Sequence, residues 1–159
     1  MKKLNLLFFF VFINFTACFS QEFKVYNGFE SFEPLLNQQN DKIYVLNFWA
    51  TWCGPCVKEM PAFNQLYENY HDKNVEIILV SMDFGKNLQN RIAEFKKRHH
   101  IKSKIIILDD PDSNTWINKV NPEWSGAIPA TLIYSKNKRE FYEHEFEYIE
   151  LEKELKKFL

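Results

Sequence analysis

The sequence predicts an α/β fold, a central mixed β-sheet flanked by helices, and three observations carry that expectation. Residues 42–49 and 75–82 are nearly continuous runs of β-branched, aliphatic and aromatic side chains, as in strands buried on both faces. Between them Val57, Met60, Phe63, Leu66, Tyr67 and Tyr70 recur at intervals of three and four, which marks one face of a helix. Strand, helix and strand in that order imply parallel pairing through a right-handed crossover. Finally, residues 131–135 and 139–146 flank the polar Lys136-Asn137-Lys138 as a hairpin, which adds antiparallel strands and makes the sheet mixed.

The remaining elements follow in chain order. Met1-Lys2-Lys3 precedes a 12-residue apolar run, Leu4 to Phe15, broken only by Asn5 and Asn14, and the small residues Thr16 and Ala17 come next. A positive start, a short apolar run and small residues describe a secretory signal peptide over residues 1–20. The run is short of the roughly 20 apolar residues that a membrane span needs. Cleavage after Ser20 would discard Cys18. Alternatively, Phe15-Thr16-Ala17-Cys18 resembles a bacterial lipobox, with Phe15 in place of the usual Leu, and Cys18 would then be a lipid anchor. Residues 22–159 contain no linker, repeat or low-complexity block and read as one domain. Within it, residues 87–98 form an amphipathic helix with Leu88, Ile92 and Phe95 inward. Residues 104–108 read as a further buried strand, and residues 148–158 as a closing helix in which Glu152 and Lys156 can pair.

Composition removes several classes of function. The 159 residues are 46% hydrophobic and 17% aromatic, too apolar for a chain that cannot pack. Three cysteines are too few for a disulfide scaffold. Twenty basic residues against 21 acidic ones give no electrostatic case for nucleic acid. Loss of Lys2 and Lys3 with the leader would leave 18 basic residues, a net charge of −3.

The other two cysteines stand in Trp52-Cys53-Gly54-Pro55-Cys56, at the junction of the first buried strand and the helix. That spacing at a helix start brings the sulfurs within one turn of each other. Cys53 meets the unpaired N–H groups and positive pole of the helix, which stabilise a thiolate. Pro55 falls in the first turn, where its missing N–H costs nothing. Cys56, one turn in, suits the resolving role. The implied chemistry is thiol–disulfide exchange through a mixed disulfide. A zinc site would need two more ligands, and His71, His99, His100 and His144 form no matching pair. A purely structural disulfide would close too short a loop to stabilise much.

The segment Val45-Leu46-Asn47-Phe48-Trp49-Ala50-Thr51-Trp52-Cys53-Gly54-Pro55-Cys56-Val57-Lys58-Glu59-Met60-Pro61 resembles the thioredoxin superfamily, and more narrowly its exported TlpA/ResA-type thiol–disulfide oxidoreductases. The likeness extends loosely over residues 35–159. It implies a thioredoxin-like fold in which Pro129, in Gly126-Ala127-Ile128-Pro129-Ala130-Thr131, is cis and faces the cysteines. A proline there leaves the backbone of Ile128 free to pair with an extended substrate. Cys56 and Pro129 are 73 positions apart, more than the minimal thioredoxin pattern needs. The surplus fits an extra helix–strand insertion over residues 87–108, typical of the TlpA/ResA branch. Asn47 stands where thioredoxin carries a buried acid. Glu59, three residues after Cys56, shares its helical face; by resemblance it handles the proton of the buried thiol, and the bland alternative is a solvated surface glutamate. Pro61 is expected to kink this helix.

Several features point elsewhere and are set against that reading. Asp110-Pro111-Asp112-Ser113-Asn114 suggests a calcium loop, but Thr115 and Asn121 replace the glycine and glutamate that the loop requires. Capping of a short helix through Trp116 is the simpler reading. Residues 96–100 are a basic run, expected on a solvated helix face. Trp124 fits either the substrate surface or the core. A thiol peroxidase would need Thr or Ser three residues before its active cysteine and Pro seven before. Counting back from Cys53 meets Ala50 and Leu46, and from Cys56 meets Cys53 and Trp49.

The expected protein is therefore an exported reductase of envelope protein disulfides, in the periplasm or on the outer surface of a bacterial membrane. Cys53, Cys56 and Glu59 are its catalytic candidates, and Trp52, Gly54, Pro55, Ile128 and Pro129 its substrate-binding ones. No metal and no cofactor beyond the Cys53–Cys56 disulfide are expected. The resemblance implies a membrane electron donor of the DsbD/CcdA type, disulfide-bonded envelope proteins as substrates, a monomer, and a place in cytochrome c maturation or general envelope thiol homeostasis. The alternative from another class is a redox-inert binding module, a chaperone for haem apoproteins or copper.

Overall fold

A computed structural model describes residues 23–159. The expected leader, with Cys18, lies outside the described residues. Six strands form one sheet in the order β1-β4-β3-β2-β5-β6. They are β1 (Lys24–Asn27), β2 (Ile43–Trp49), β3 (Val75–Ser81), β4 (Lys104–Asp109), β5 (Ala130–Tyr134) and β6 (Arg139–Tyr142). The first four in spatial order pair in parallel, and β5 and β6 add antiparallel to β2 and to each other. The sheet is thus mixed, with the strand–helix–strand unit at its centre.

Helices cover both faces because the central strands are apolar on both. Val45 and Trp49 of β2, with Ile77, Leu79, Ile105 and Ile107, pack under α2 (Gly54–Tyr70), α3 (Leu88–Arg98) and α5 (Tyr148–Lys156). Tyr44, Leu46 and Phe48, with Ile78, Val80 and Ile106, pack on the other face against α1 (Phe29–Phe32), Leu36, Trp116 and Trp124. The extra segment α3–β4 inserts between β3 and β5 in sequence and supplies the partner of β1.

Some sequence expectations need correction. The hairpin's second strand ends at Tyr142 rather than 146, because the chain leaves the sheet there and the Phe146 N–H turns to Glu59. β1 and α1 have no periodic signal in the sequence: four residues each, they depend on pairing with β4 and on burial of Phe29 and Phe32. A short 3₁₀ turn, Ser113–Thr115, does follow Asp112, but the Asp112 side chain does not cap it. The neighbouring Asp110 carboxylate instead accepts from the N–H of Phe29 and of Asp112, tying α1 to the end of β4. Trp124 belongs to the core: it is buried, lies 4.8 Å from the Phe48 ring, and donates its indole N–H to Ala127 O at 2.8 Å. Pro61 lies inside α2, which runs unbroken from Gly54 to Tyr70. The Glu152–Lys156 pair forms at 2.7 Å. Among the described residues no helix is long and apolar enough to cross a membrane.

Candidate active site

The site sits where β2 ends and α2 begins. Ala50 and Thr51 carry the chain off the strand, and Cys53 occupies the N-cap of α2 in an extended conformation. Gly54 and Pro55 form the first turn and are exposed, so the helix end opens to solvent there. Its sulfur accepts a hydrogen bond from the Cys56 N–H at 3.2 Å. This is the capping role usually taken by a side-chain oxygen; it places partial positive charge against Sγ of Cys53. The two cysteines are joined as a disulfide, so the structure is that of the oxidised protein. Cys53 keeps a sliver of exposure, 6%, whereas Cys56 is fully buried.

The Ile128–Pro129 peptide is cis. The loop it closes puts the Ile128 carbonyl oxygen 3.6 Å from Sγ of Cys53, although the two residues are 75 apart in sequence. Among the described residues the Ile128 N–H has no hydrogen-bond partner, because β5 begins only at Ala130. An extended peptide laid beside Ile128 would find an unpaired backbone edge next to the sulfur.

Beside this edge an open groove of about 430 Å³ runs along the C-terminal ends of the parallel strands. Trp52, Phe84, Pro111, Gly126 and Ile128 are among its lining residues. Trp52 and Phe84 are 62% and 70% exposed, large apolar surfaces left uncovered at its rim. Asp83 holds Thr51, in the turn between β2 and Cys53. Fully buried, it accepts from Thr51 N–H at 2.9 Å, from the Thr51 hydroxyl and from Ser81 Oγ, and faces Arg91 at 3.7 Å.

One turn below Cys56, Glu59 is only 2% exposed. The bland reading of a solvated glutamate is therefore wrong. Its carboxylate accepts from Asn47 Nδ2 at 2.8 Å and from Phe146 N–H at 3.0 Å, and Asn47 Nδ2 also reaches Thr131 Oγ1 at 3.1 Å. Burial pushes the Glu59 carboxyl from 4.5 up to about 7, against the pull of those two donors. A neutral amide at position 47 supplies a donor without a second buried charge; a carboxylate there would force one of the pair still higher. Asn47 Oδ1 has no partner. Turned over, the same amide would offer that oxygen to a protonated Glu59, so the pocket can serve both protonation states. In the oxidised protein Glu59 makes no hydrogen bond to either cysteine among the described residues.

The structure thus brings Trp52, Cys53, Gly54, Pro55, Cys56, Glu59, Ile128 and Pro129 to one end of the sheet. It adds Asp83, Thr131 and the Phe146 N–H, none of which the sequence singled out. Asp83 directly follows a predicted strand, which is a faint signal; the other two are ordinary core-edge residues until the chain folds. Among the described residues no cluster of side chains is arranged to hold a metal ion.

Comparison with known proteins agrees with this geometry. The AhpC/TSA family model matches residues 20–139. A thiol-disulfide oxidoreductase ResA of Bacillus cereus is 31% identical over 86% of this chain and 86% of its own length. The ResA of Geobacillus thermodenitrificans is 34% identical over 71% of this chain and 60% of its own. Among solved structures, a DsbF homologue from Corynebacterium diphtheriae superposes with a TM-score of 0.61 at 21% identity, covering 75% of this chain and 73% of that one. StoA from Bacillus subtilis does so with a TM-score of 0.57 at 18% identity, over 72% and 82%. A thioredoxin-like mixed sheet, a cysteine pair capping α2 and similarity to ResA over 86% of the chain together place it in the AhpC/TSA family, among the thiol–disulfide oxidoreductases of ResA type.

Proposed function

We propose that the protein is an exported reductase of protein disulfides. The observation that supports this most is Sγ of Cys53 at the helix N-terminus, bonded to the Cys56 N–H and edged by the unpaired backbone of Ile128. In the reduced enzyme the Cys53 thiolate attacks one sulfur of a substrate disulfide, and the other substrate sulfur leaves as a thiolate. The Cys56 thiolate then attacks Sγ of Cys53 in the mixed disulfide. The substrate is released as a dithiol and the two electrons have come from the enzyme, which ends as the Cys53–Cys56 disulfide. Glu59, with a carboxyl that titrates near 7, is suited to take the Cys56 proton as that thiol becomes a nucleophile. Trp52, Gly54, Pro55, Ile128 and cis-Pro129 form the surface on which an extended substrate lies.

The Cys-Gly-Pro-Cys tetrad favours a potential near thioredoxin's, about −270 mV, over the roughly −120 mV of DsbA. Residues 1–20 are read as a leader, either a signal peptide cleaved after Ser20 or a lipoprotein leader whose processing makes Cys18 the lipidated first residue, and residues 22–159 as the folded domain. In an oxidising envelope the disulfide must be recharged, which calls for a membrane donor of the DsbD/CcdA type. Cytochrome c maturation and general thiol homeostasis are the roles that fit such a reductase. A monomer suffices, since one chain carries the whole site.

The test is to express Cys56→Ser in an envelope and isolate mixed disulfides. Adducts on Cys53 that dissolve with dithiothreitol are expected, and they name the substrates. The competing reading, a redox-inert chaperone for haem apoproteins or copper, predicts that Cys53→Ser fully restores a deletion strain. That result, or a measured potential above about −180 mV, in the range of isomerases and oxidants, would overturn the reductase assignment.

A further inference from the structure

Among the described residues four large apolar side chains are exposed: Trp52, Phe84, Ile149 and Leu159. Two of them, Trp52 and Phe84, line the same groove, the one that opens beside Ile128. A single exposed apolar residue is ordinary, but a pair sharing one concave surface marks a contact site. Phe84 also stands on a fastened loop, between β3 and α3. Its carbonyl oxygen accepts from Arg91 Nη2 at 2.8 Å. The residue before it, Asp83, is fully buried and held by Thr51 and Ser81. An aromatic ring presented on a fixed backbone loses little further freedom when a partner packs on it, which suits it as an anchor.

The groove's volume of about 430 Å³ lies within the roughly 300–1,000 Å³ of pockets that enclose organic ligands, so it takes a bulky side chain. Ile128 belongs both to this lining and to the edge beside Sγ of Cys53, so a substrate reacting at Cys53 lies against the groove. The charges of the lining have one sign: Asp83, Asp109 and Asp110 belong to it, and no lysine, arginine or histidine does. Arg91 offsets Asp83 at 3.7 Å. Asp109, which is exposed, and Asp110 take part in no ion pair among the described residues. The sheet order sets these features in a row, with Trp52 after β2, Phe84 after β3 and Asp109 at the end of β4. Two strand spacings of about 4.8 Å separate β2 from β4, the reach of about three extended residues.

We propose that Trp52 and Phe84 grip a bulky apolar side chain of the substrate beside its reacting half-cystine, while Asp109 and Asp110 favour a lysine or arginine beyond it. The preferred substrate is an extended, basic polypeptide with a large apolar residue within two positions of the cysteine. Backbone pairing along Ile128 is available to any sequence, so the side-chain groove is what selects. Phe84 is thereby a specificity-determining residue. The inference rests on the reading of Cys53 as the attacking thiol and adds which disulfides it prefers.

The test uses the full-length protein, reduced, and extended peptides that carry one cysteine as a mixed disulfide with glutathione. One turnover gives the peptide thiol, glutathione and the Cys53–Cys56 disulfide, the two electrons coming from the enzyme dithiol. Phe or Leu in place of Ala within two positions of the cysteine should raise the second-order rate constant about tenfold, from partial burial of one side chain. Phe84→Ala should lower that ratio to about twofold, and Phe84→Leu should keep most of it. Each variant is compared with itself on two peptides, so a general loss of activity leaves the ratio readable. Lys in place of Glu about three positions beyond the apolar residue should add about threefold at low salt. That gain should shrink as salt rises and in Asp109→Asn. Equal rates for the Lys and Glu peptides overturn the charge assignment. Rates within twofold across the apolar series, or a preference that Phe84→Ala leaves intact, overturn the groove while the reductase reading stands. A Phe84-dependent dimer in sedimentation would give the groove to a second copy of the chain and overturns it likewise. No reduction of any peptide, the alanine one included, overturns the reductase reading and this inference with it.

Discussion

Along β2, Tyr44, Leu46 and Phe48 face an aromatic layer, while Val45, Asn47 and Trp49 face α2, and all seven residues of the strand are buried. On the first face Phe48 lies 6.0 Å from Phe32 and 4.8 Å from Trp124, and Tyr44 stacks on Tyr134 at 5.0 Å. On the second, Asn47 and Glu59 meet in a site equally closed to water. One face holds the fold together by area and ring contacts. The other gives up some of that stability to keep an ionisable group beneath Cys56. Equal burial thus has opposite uses: apolar surface gains from it, whereas a carboxylate is destabilised in its charged form and moved towards neutral pH.

Substitutions on the two faces should separate these uses. The largest effect is expected from Phe48→Ala, a loss of about 3–5 kcal/mol in urea unfolding, with no change in how stability varies between pH 5 and 8. Glu59→Gln should do the reverse. Since the folded carboxyl titrates near 7 and the unfolded one near 4.5, the wild type is most stable below about 4.5 and loses stability as pH rises through 7. That loss is about 3 kcal/mol, from about 1.4 kcal/mol per pKa unit. Glu59→Gln should abolish this slope, and the pH profile of thiol–disulfide exchange should lose an ionisation near 7. A slope that survives the substitution would assign it to another group.

Asn47→Ala removes a donor from the Glu59 carboxylate and should cost about 2 kcal/mol at pH 8, less at pH 5, where Glu59 is protonated. It should also raise the Glu59 pKa further, measurable by carbon NMR of the carboxyl. The smallest effect belongs to the stacked pair on the aromatic face. A double-mutant cycle on Tyr44→Leu and Tyr134→Leu should return a coupling of about 0.5–1.5 kcal/mol that is flat with pH. A pH-dependent coupling there would blur the distinction between the faces.

The central strands, α2, α3 and the closing helix were legible because each has a full period of apolar residues. The edge elements were not. β1 is half polar and four residues long, and only β4 beside it makes it a strand. Phe146 reads as the end of a strand by pattern, but the buried acceptor of Glu59 draws its N–H away from the sheet. The spacing of Glu59 from Cys56 was visible, while its burial was not, since α5 and the segment before it close that face of α2 from far along the chain. The role of Asp83 is not written in the local sequence for the same reason: it supports Thr51 across 32 residues.

The sequence by itself determined the strand–helix–strand unit and the place of the cysteines at the helix start, because periodicity and the N-cap are local properties of a few turns of chain. Tertiary structure alone decided what surrounds them. It set the Ile128 carbonyl against Cys53 and closed Glu59 off from water. Each of these depends on desolvation or on an encounter between distant segments. Neither quantity exists until the sheet has brought those segments together and expelled the water between them.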